Sequence, residues 1–413
     1  MNQQVLYLRR HRIVAAALVI ALSSAMIPAR GGGDPPMPTA SDNAPVCSCE
    51  SLTNVALPNT TIDSAVTNAD GACRVTVSIT HPPSGDRVRV FIALPLTGWN
   101  GRFQGTGGGG FSGGNSFALG GPVHQGYAAG ATDTGHEGMS GSFGLDAHGR
   151  LNWQAIEDNA YLGIHEMTEV GKALTKTFYG KAPRYAYFTG FSTGGRQGLM
   201  EAQRYPEDYD GIVAGCPAIN WHKFVLASLW PQVVMASSSN RVSTAKLRAA
   251  TVAAIAACDA MDGATDGLID DPSCCAYDPK ALVGTQVGED IFTQADAEVI
   301  RKIWEGPRAQ DGRFLWYGLS RGADLTALAG TRPFPIPMDW VRYFLVQDPH
   351  WDVSSLTPAE FERLFRQSVE EYGPVFGTDD PDLSRFRDRG GKIIILHGQA
   401  DQLIMTEGSV AYY

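Results

Sequence analysis

The pentapeptide Gly190-Phe191-Ser192-Thr193-Gly194 fits the pattern G-x-S-x-G. An aromatic-rich run enters it from Tyr187, and a helix-like stretch leaves it after Ser192. A strand before and a helix after make this the sharp elbow that lifts a serine hydroxyl to the top of a parallel sheet. A serine hydroxyl is a weak nucleophile at neutral pH. It needs a base, usually His, that a carboxylate orients, and N–H donors for the oxyanion that forms on an attacked carbonyl. At an elbow one donor is the N–H of the next residue, Thr193. The other comes from an upstream glycine loop. Gly107 to Gly110 follow an early strand, and Gly108 and Gly109 are the candidates.

In this geometry the acid follows the serine in the chain and the histidine follows the acid. Ile393 to Leu396 reads as a fully buried strand, and the loop after it ends in Asp401, the candidate acid. His397 lies before that acid, at the strand end, and reads as a strand-end histidine. No histidine follows Asp401. Either an upstream histidine substitutes, with His136 as the alternative base, or the chain is incomplete. Val410 to Tyr413 reads as the start of a helix, and C-terminal truncation is the expectation.

The elements that must hold these residues alternate. Cys73 to Leu94 reads as two strands joined by Pro-Pro-Ser-Gly-Asp. Another strand ends in the four glycines, and Tyr127 to Thr134 reads as a strand and loop. Asn152 to Tyr179 carries Ile156, Tyr161, Ile164, Met167, Val170 and Leu174 at helical spacing, and Gly180 ends it. Arg184 to Gly190 is the strand into the elbow, and Tyr209 to Ala218 holds the next buried strand. This is the parallel α/β rhythm. Residues 222 to about 385 lack sheet-type runs and are rich in aromatics. They read as an inserted lid domain. The expected organisation is therefore a signal over 1–29, an α/β core over 45–221, a lid over 222–385 and an incomplete second core part over 386–413.

Net charge is −10 over 413 residues, against the basic balance of a nucleic-acid binder. Arg9, Arg10 and Arg12 precede an apolar run to Ile27 that is short for a membrane span. This reads as a cleaved export signal, leaving no stable span. Secretion or a periplasmic location follows as an expectation. In an oxidising compartment the seven cysteines can pair, and the odd count leaves at least one unpaired within the chain.

Several stretches together resemble the tannase and feruloyl esterase family of secreted α/β-hydrolases, which includes mono(2-hydroxyethyl) terephthalate hydrolase. They are Gly98-Trp99-Asn100-Gly101-Arg102-Phe103, the glycine loop, Asp133-Thr134-Gly135-His136 and Gly190 to Gly198. Tyr205 to Ala218, Cys258-Asp259-x-x-Asp262-Gly263-x-x-Asp266-Gly267 and Leu396-His397-Gly398-x-x-Asp401 complete the set. The resemblance implies an α/β-hydrolase fold with a large inserted lid, Ser192 as nucleophile and Asp401 as acid. It places the base in a C-terminal Gly-His-Cys segment that this sequence does not contain. It implies a structural Ca²⁺ held by the side chains of Asp259, Asp262 and Asp266 and the carbonyls of Ala264 and Leu268. A turn dense in carboxylates and glycines independently suits a hard cation, without EF-hand spacing. The resemblance also implies disulfides Cys49–Cys73 and Cys258–Cys275. It assigns no partner to Cys47, Cys216 or Cys274. Where many members carry a cysteine before the nucleophile, this chain has Phe191.

Two readings follow. One is a serine carboxylic ester hydrolase acting on esters of aromatic acids, such as feruloyl or galloyl esters of plant polyphenols or cell walls. The other is a binding-only or impaired relative that lacks the triad histidine.

Overall fold

The computed structural model describes residues 43–413. The export signal read over 1–29 lies outside the described residues. The described residues all fall within one compact unit, Pro38–Tyr413.

The sheet has eight strands. They are β1 (Thr60–Thr67), β2 (Ala72–Ile79), β3 (Val88–Pro95), β4 (Arg102–Thr106), β5 (Ala128–Thr132), β6 (Tyr185–Phe191), β7 (Gly211–Gly215) and β10 (Lys392–Leu396). Their order is β1-β2-β3-β5-β4-β6-β7-β10. The first three pairings in that order are antiparallel. From β5 onward every neighbour is parallel. Parallel neighbours need crossover connections, and the helix Gly163–Tyr179 supplies one between β5 and β6. Its apolar positions Ile164, Met167, Val170, Leu174 and Phe178 are all buried, in one cluster with Phe103 and Phe188 from the sheet. Gly180 ends it in the left-handed conformation, at φ 71°. The preceding turns, Asp158–Leu162, are wound as a π-helix, which the periodic pattern did not announce. This is an α/β-hydrolase fold.

Two strand readings differ from expectation. β1 was not legible, because its apolar residues are few and its register slips between Ile62 and Ser64. β10 is an edge strand and not a fully buried one. Among the described residues it pairs only with β7, and Ile394 and Leu396 are 57% and 47% exposed. A run of isoleucines fits a buried strand or a half-buried edge equally well.

Between β7 and β10 the chain is mainly helical, apart from a small hairpin of β8 (Gln286–Val287) and β9 (Asp290–Ile291). Its Trp304, Trp316, Trp340, Phe344, Phe361 and Tyr372 are buried in one cluster that also takes in Phe111, Ile156 and Ala160 from before β7. These aromatics are therefore mostly packing. Lys246 Nζ meets Asp296 Oδ2 at 2.8 Å, which ties the helix Thr244–Cys258 to the helix Gln294–Glu305. Both side chains are nearly buried, and Asn240 and Thr293 also donate to Asp296. Disulfides join Cys49 to Cys73 and Cys258 to Cys275, while Cys47, Cys216 and Cys274 are free.

Candidate active site

Ser192 stands between the end of β6 and the helix Thr193–Arg204, at φ 59° and ψ −119°. A non-glycine residue there carries roughly 1–3 kcal/mol of strain, which the surroundings must hold. They do so with backbone bonds. Ser192 N–H donates to the Gly215 carbonyl at 2.9 Å, and its own carbonyl accepts from Ala218 and Arg196. The turn is also tight. A Cβ on Gly190 would lie 2.4 Å from the Gly194 carbonyl carbon, and one on Gly107 would lie 2.5 Å from Gly194 Cα. Glycine at these two places lets the loop after β4 lie directly on the elbow.

That loop is fixed by side chains whose roles the sequence did not disclose. Gln197 Oε1 accepts from Gly108 N–H at 3.0 Å, and Gln197 Nε2 donates to the Gly113 carbonyl. The Thr193 hydroxyl donates to the Gly110 carbonyl at 2.5 Å, and Gly194 N–H donates to the Gly108 carbonyl. Gly109 N–H donates to the Ser112 carbonyl at 3.1 Å. Both glycines expected to donate to an oxyanion thus have their N–H groups engaged. Thr193 N–H opens its helix and has no intrahelical acceptor. One turn along, Arg196 is fully buried and donates to the Ala160 and Asn159 carbonyls. Burial pulls its guanidinium down to about 9. It lies over the rings of Trp221 and Phe376. The motif Gly194-Gly195-Arg196-Gln197-Gly198 is the signal that held both residues.

A cavity of about 510 Å³ opens on Ser192 and Thr193. It is lined by Gly109, Gly110 and Met139, by Trp221, Phe224, Phe334, Pro335 and Ile336, and by Leu403 and Ile404. It is mainly apolar and aromatic. Of its aromatics, Phe224 and Phe334 come from the aromatic-rich segment after residue 222, and Trp221 stands just before it.

Asp401 enters through the same turn. Its Oδ1 accepts from Leu403 and Ile404 N–H at 2.9 and 3.0 Å, so the residues it orders are cavity residues. Burial opposes its charge. The His397 ring at 3.3 Å and the two N–H donors outweigh burial and hold the carboxyl below its usual range. His397 faces Asp401 and Ser409 with its two ring nitrogens. Among the described residues no histidine lines the Ser192 cavity. The ring of His136 stacks on Phe143 at 3.9 Å, and burial pushes it toward the neutral form.

The acidic turn is exposed, and the disulfide Cys258–Cys275 closes the loop around it. Asp259 accepts from Asp266 and Gly267 N–H, Asp262 from Ala264 and Asp270 N–H, and Asp266 from Leu268 N–H. Among the described residues no Lys or Arg pairs with Asp259, Asp262 or Asp266. An all-oxygen, uncompensated set of this kind fits the donor chemistry of Ca²⁺.

The family model for tannase and feruloyl esterase matches residues 73–341 and 336–413. The chain belongs to the tannase and feruloyl esterase family. A protein described as "Probable feruloyl esterase" from Arthroderma benhamiae is 41% identical over 373 residues, covering 86% of this chain and 68% of that protein. Feruloyl esterase B of Aspergillus niger is 33% identical over 350 residues, covering 83% of this chain and 65% of its own length. The chain thus spans about two thirds of the length of these relatives. Among solved structures, feruloyl esterase B from Aspergillus oryzae superposes with a TM-score of 0.78 at 29% identity, covering 91% of this chain and 78% of that one. The tannin acyl hydrolase from Aspergillus niger gives 0.78 at 26% identity, covering 87% and 74%.

Proposed function

We propose that the protein is a secreted serine carboxylic ester hydrolase that acts on small esters of aromatic acids. The observation that carries this reading is the strained elbow serine opening onto an apolar, aromatic-walled cavity. Ser192 Oγ attacks the ester carbonyl, and its proton passes to a base that Asp401 orients. The alcohol leaves with a proton, and an acyl-enzyme remains on Ser192. Water then releases the acid and restores the serine. Thr193 N–H is the first oxyanion donor. The second comes from the glycine loop, and requires Gly109 to exchange the Ser112 carbonyl for the oxyanion, or Gly108 to leave Gln197. Trp221, Phe224 and Phe334 suit a planar acyl group such as feruloyl or galloyl. Feruloyl and tannin ester activities among the relatives support that class.

Ca²⁺ bound at Asp259, Asp262 and Asp266, with the carbonyls of Ala264 and Leu268, would neutralise the acidic turn and brace the helical layer. Its role is structural. Secretion is supported by the disulfides. Among the described residues no helix is long and apolar enough to cross a membrane.

A second reading, a binding-only relative, is favoured by one observation: no described histidine meets Ser192. Release of ferulic and gallic acid from their methyl esters separates the two. Wild-type turnover that falls at least about a thousandfold in Ser192→Ala supports the hydrolase. Ester binding without turnover in the wild type supports the second reading.

A further inference from the structure

Cys216, His397 and Asp401 converge beside the elbow. Cys216 follows β7 at φ 39°, and its N–H donates to the Leu396 carbonyl at 2.5 Å. The backbone of Cys216 is thereby tied to the end of β10, where His397 is the next residue. One donor atom from each of the three residues lies within 4.8 Å of the others.

The histidine makes this more than a cluster. Its side chain is only 4% exposed, and its Nε2 is buried without a hydrogen-bond partner. That nitrogen lies 3.3 Å from Asp401 Oδ2, off the line that a hydrogen bond needs. Nδ1 lies 2.8 Å from Ser409 Oγ. A proton on Nδ1, donated to Ser409, leaves the Nε2 lone pair free and directed off the Nε2–Oδ2 line, as a metal shared by the two atoms requires. A ligating histidine is oriented in this way, by a hydrogen bond from its other nitrogen. Asp401 Oδ1 is taken by Leu403 and Ile404 N–H, so Oδ2 is the oxygen left to face the ring.

We propose that Cys216 Sγ, His397 Nε2 and Asp401 Oδ2 form a binding site for a thiophilic divalent cation of the Zn²⁺ class, and that filling it inhibits the enzyme. Thiolate, imidazole and carboxylate are the donors that Zn²⁺ selects. Two ligands about 2.0–2.1 Å from a tetrahedral ion stand ~3.3–3.5 Å apart, which the Nε2–Oδ2 spacing meets without rearrangement. Three protein donors leave the fourth position to water. Binding forms the S–metal bond and releases the thiol proton to solvent. The inhibition rests on the reading of Asp401 as catalytic acid, because the metal takes the oxygen that would orient a base. The binding does not rest on it.

Co²⁺ serves as the probe, because a thiolate ligand gives it a charge-transfer absorption. The full chain is titrated, then challenged with Zn²⁺. The expected result is one equivalent of thiolate-bound Co²⁺, displaced by Zn²⁺, lost in Cys216→Ser and Cys216→Ala, and retained in Cys47→Ser and Cys274→Ser. Hydrolysis of methyl ferulate falls with Zn²⁺ and recovers with a chelator, and Cys216→Ser needs at least tenfold more Zn²⁺ for the same loss. Absence of the absorption in the wild type, or its survival in both Cys216 variants, overturns the site. Stoichiometric binding with undiminished hydrolysis overturns the inhibition. A chain inactive on every ester counts against the functional reading alone, since the absorption still reports on the site.

Discussion

The residues around Ser192 divide into those that react and those that hold. Gln197 is a holding residue, because its amide bonds Gly108 on one side and Gly113 on the other. Gln197→Ala should lower kcat for methyl ferulate by about ten- to a hundredfold, through a loosened glycine loop. KM should change less, because the apolar walls remain. Equal kcat in the variant would remove Gln197 from this role. The reactive residue types were legible at this scale. G-x-S-x-G and the acid after a strand are local patterns; Ser192 borders the cavity, and Asp401 holds its wall residues Leu403 and Ile404. The N–H engagement of Gly108 and Gly109 was not legible, because it depends on which way a backbone turns over a neighbouring helix. Nor were the cavity walls. Trp221, Phe224 and Phe334 carry no local mark that separates them from Trp340, which is wholly buried.

At the scale of elements, two ties in the helical layer bear weight. Lys246→Met leaves Asp296 charged and nearly buried without its cation, and should destabilise the protein by about 3–5 kcal/mol. Urea unfolding measures this, and a change near zero would mean that Asn240 and Thr293 suffice. The acidic turn is the second tie. Exhaustive chelation should lower Tm by several degrees, with recovery on Ca²⁺ and none of this response in Asp262→Asn. An unchanged Tm would contradict the Ca²⁺ reading. Long periodic elements were legible here: the helix to Tyr179, and the strands β2, β3, β6 and β7. β1 was lost to its mixed polarity, and the exposure of β10 depends on its neighbours rather than on its own residues.

For the whole molecule, two acid–base clusters set the response to pH, one of His81, Asp86, Asp158 and Glu166 and the other of Glu201 and Asp208. His81 sits between Asp86 at 2.6 Å and Glu166 at 2.7 Å. Burial works against the charged ring, but the two carboxylates outweigh it and raise His81 to about 9. Burial raises Asp158 to about 7, and burial with the neighbouring Asp208 raises Glu201 well above its ordinary value. In each case the folded state holds the proton more tightly than the unfolded chain. The stabilisation is therefore full below the unfolded values and is lost as pH rises through the folded ones. Tm should fall between about pH 7 and about 9, and His81→Gln should flatten that slope. A Tm that rises over this interval would contradict the assignment. The overall architecture was legible from the strand–helix rhythm. These clusters were not, since His81 and Glu166 are 85 residues apart.

The central claim is that Ser192 is an activated nucleophile. Diethyl 4-nitrophenyl phosphate phosphorylates such a serine and leaves ordinary ones alone, and peptide mass mapping locates the adduct. The account predicts one diethylphosphoryl group per chain, on the peptide that carries Ser192, with none on Ser192→Ala. Hydrolytic activity with no adduct at Ser192, or equal labelling of Ser192→Ala, would contradict it.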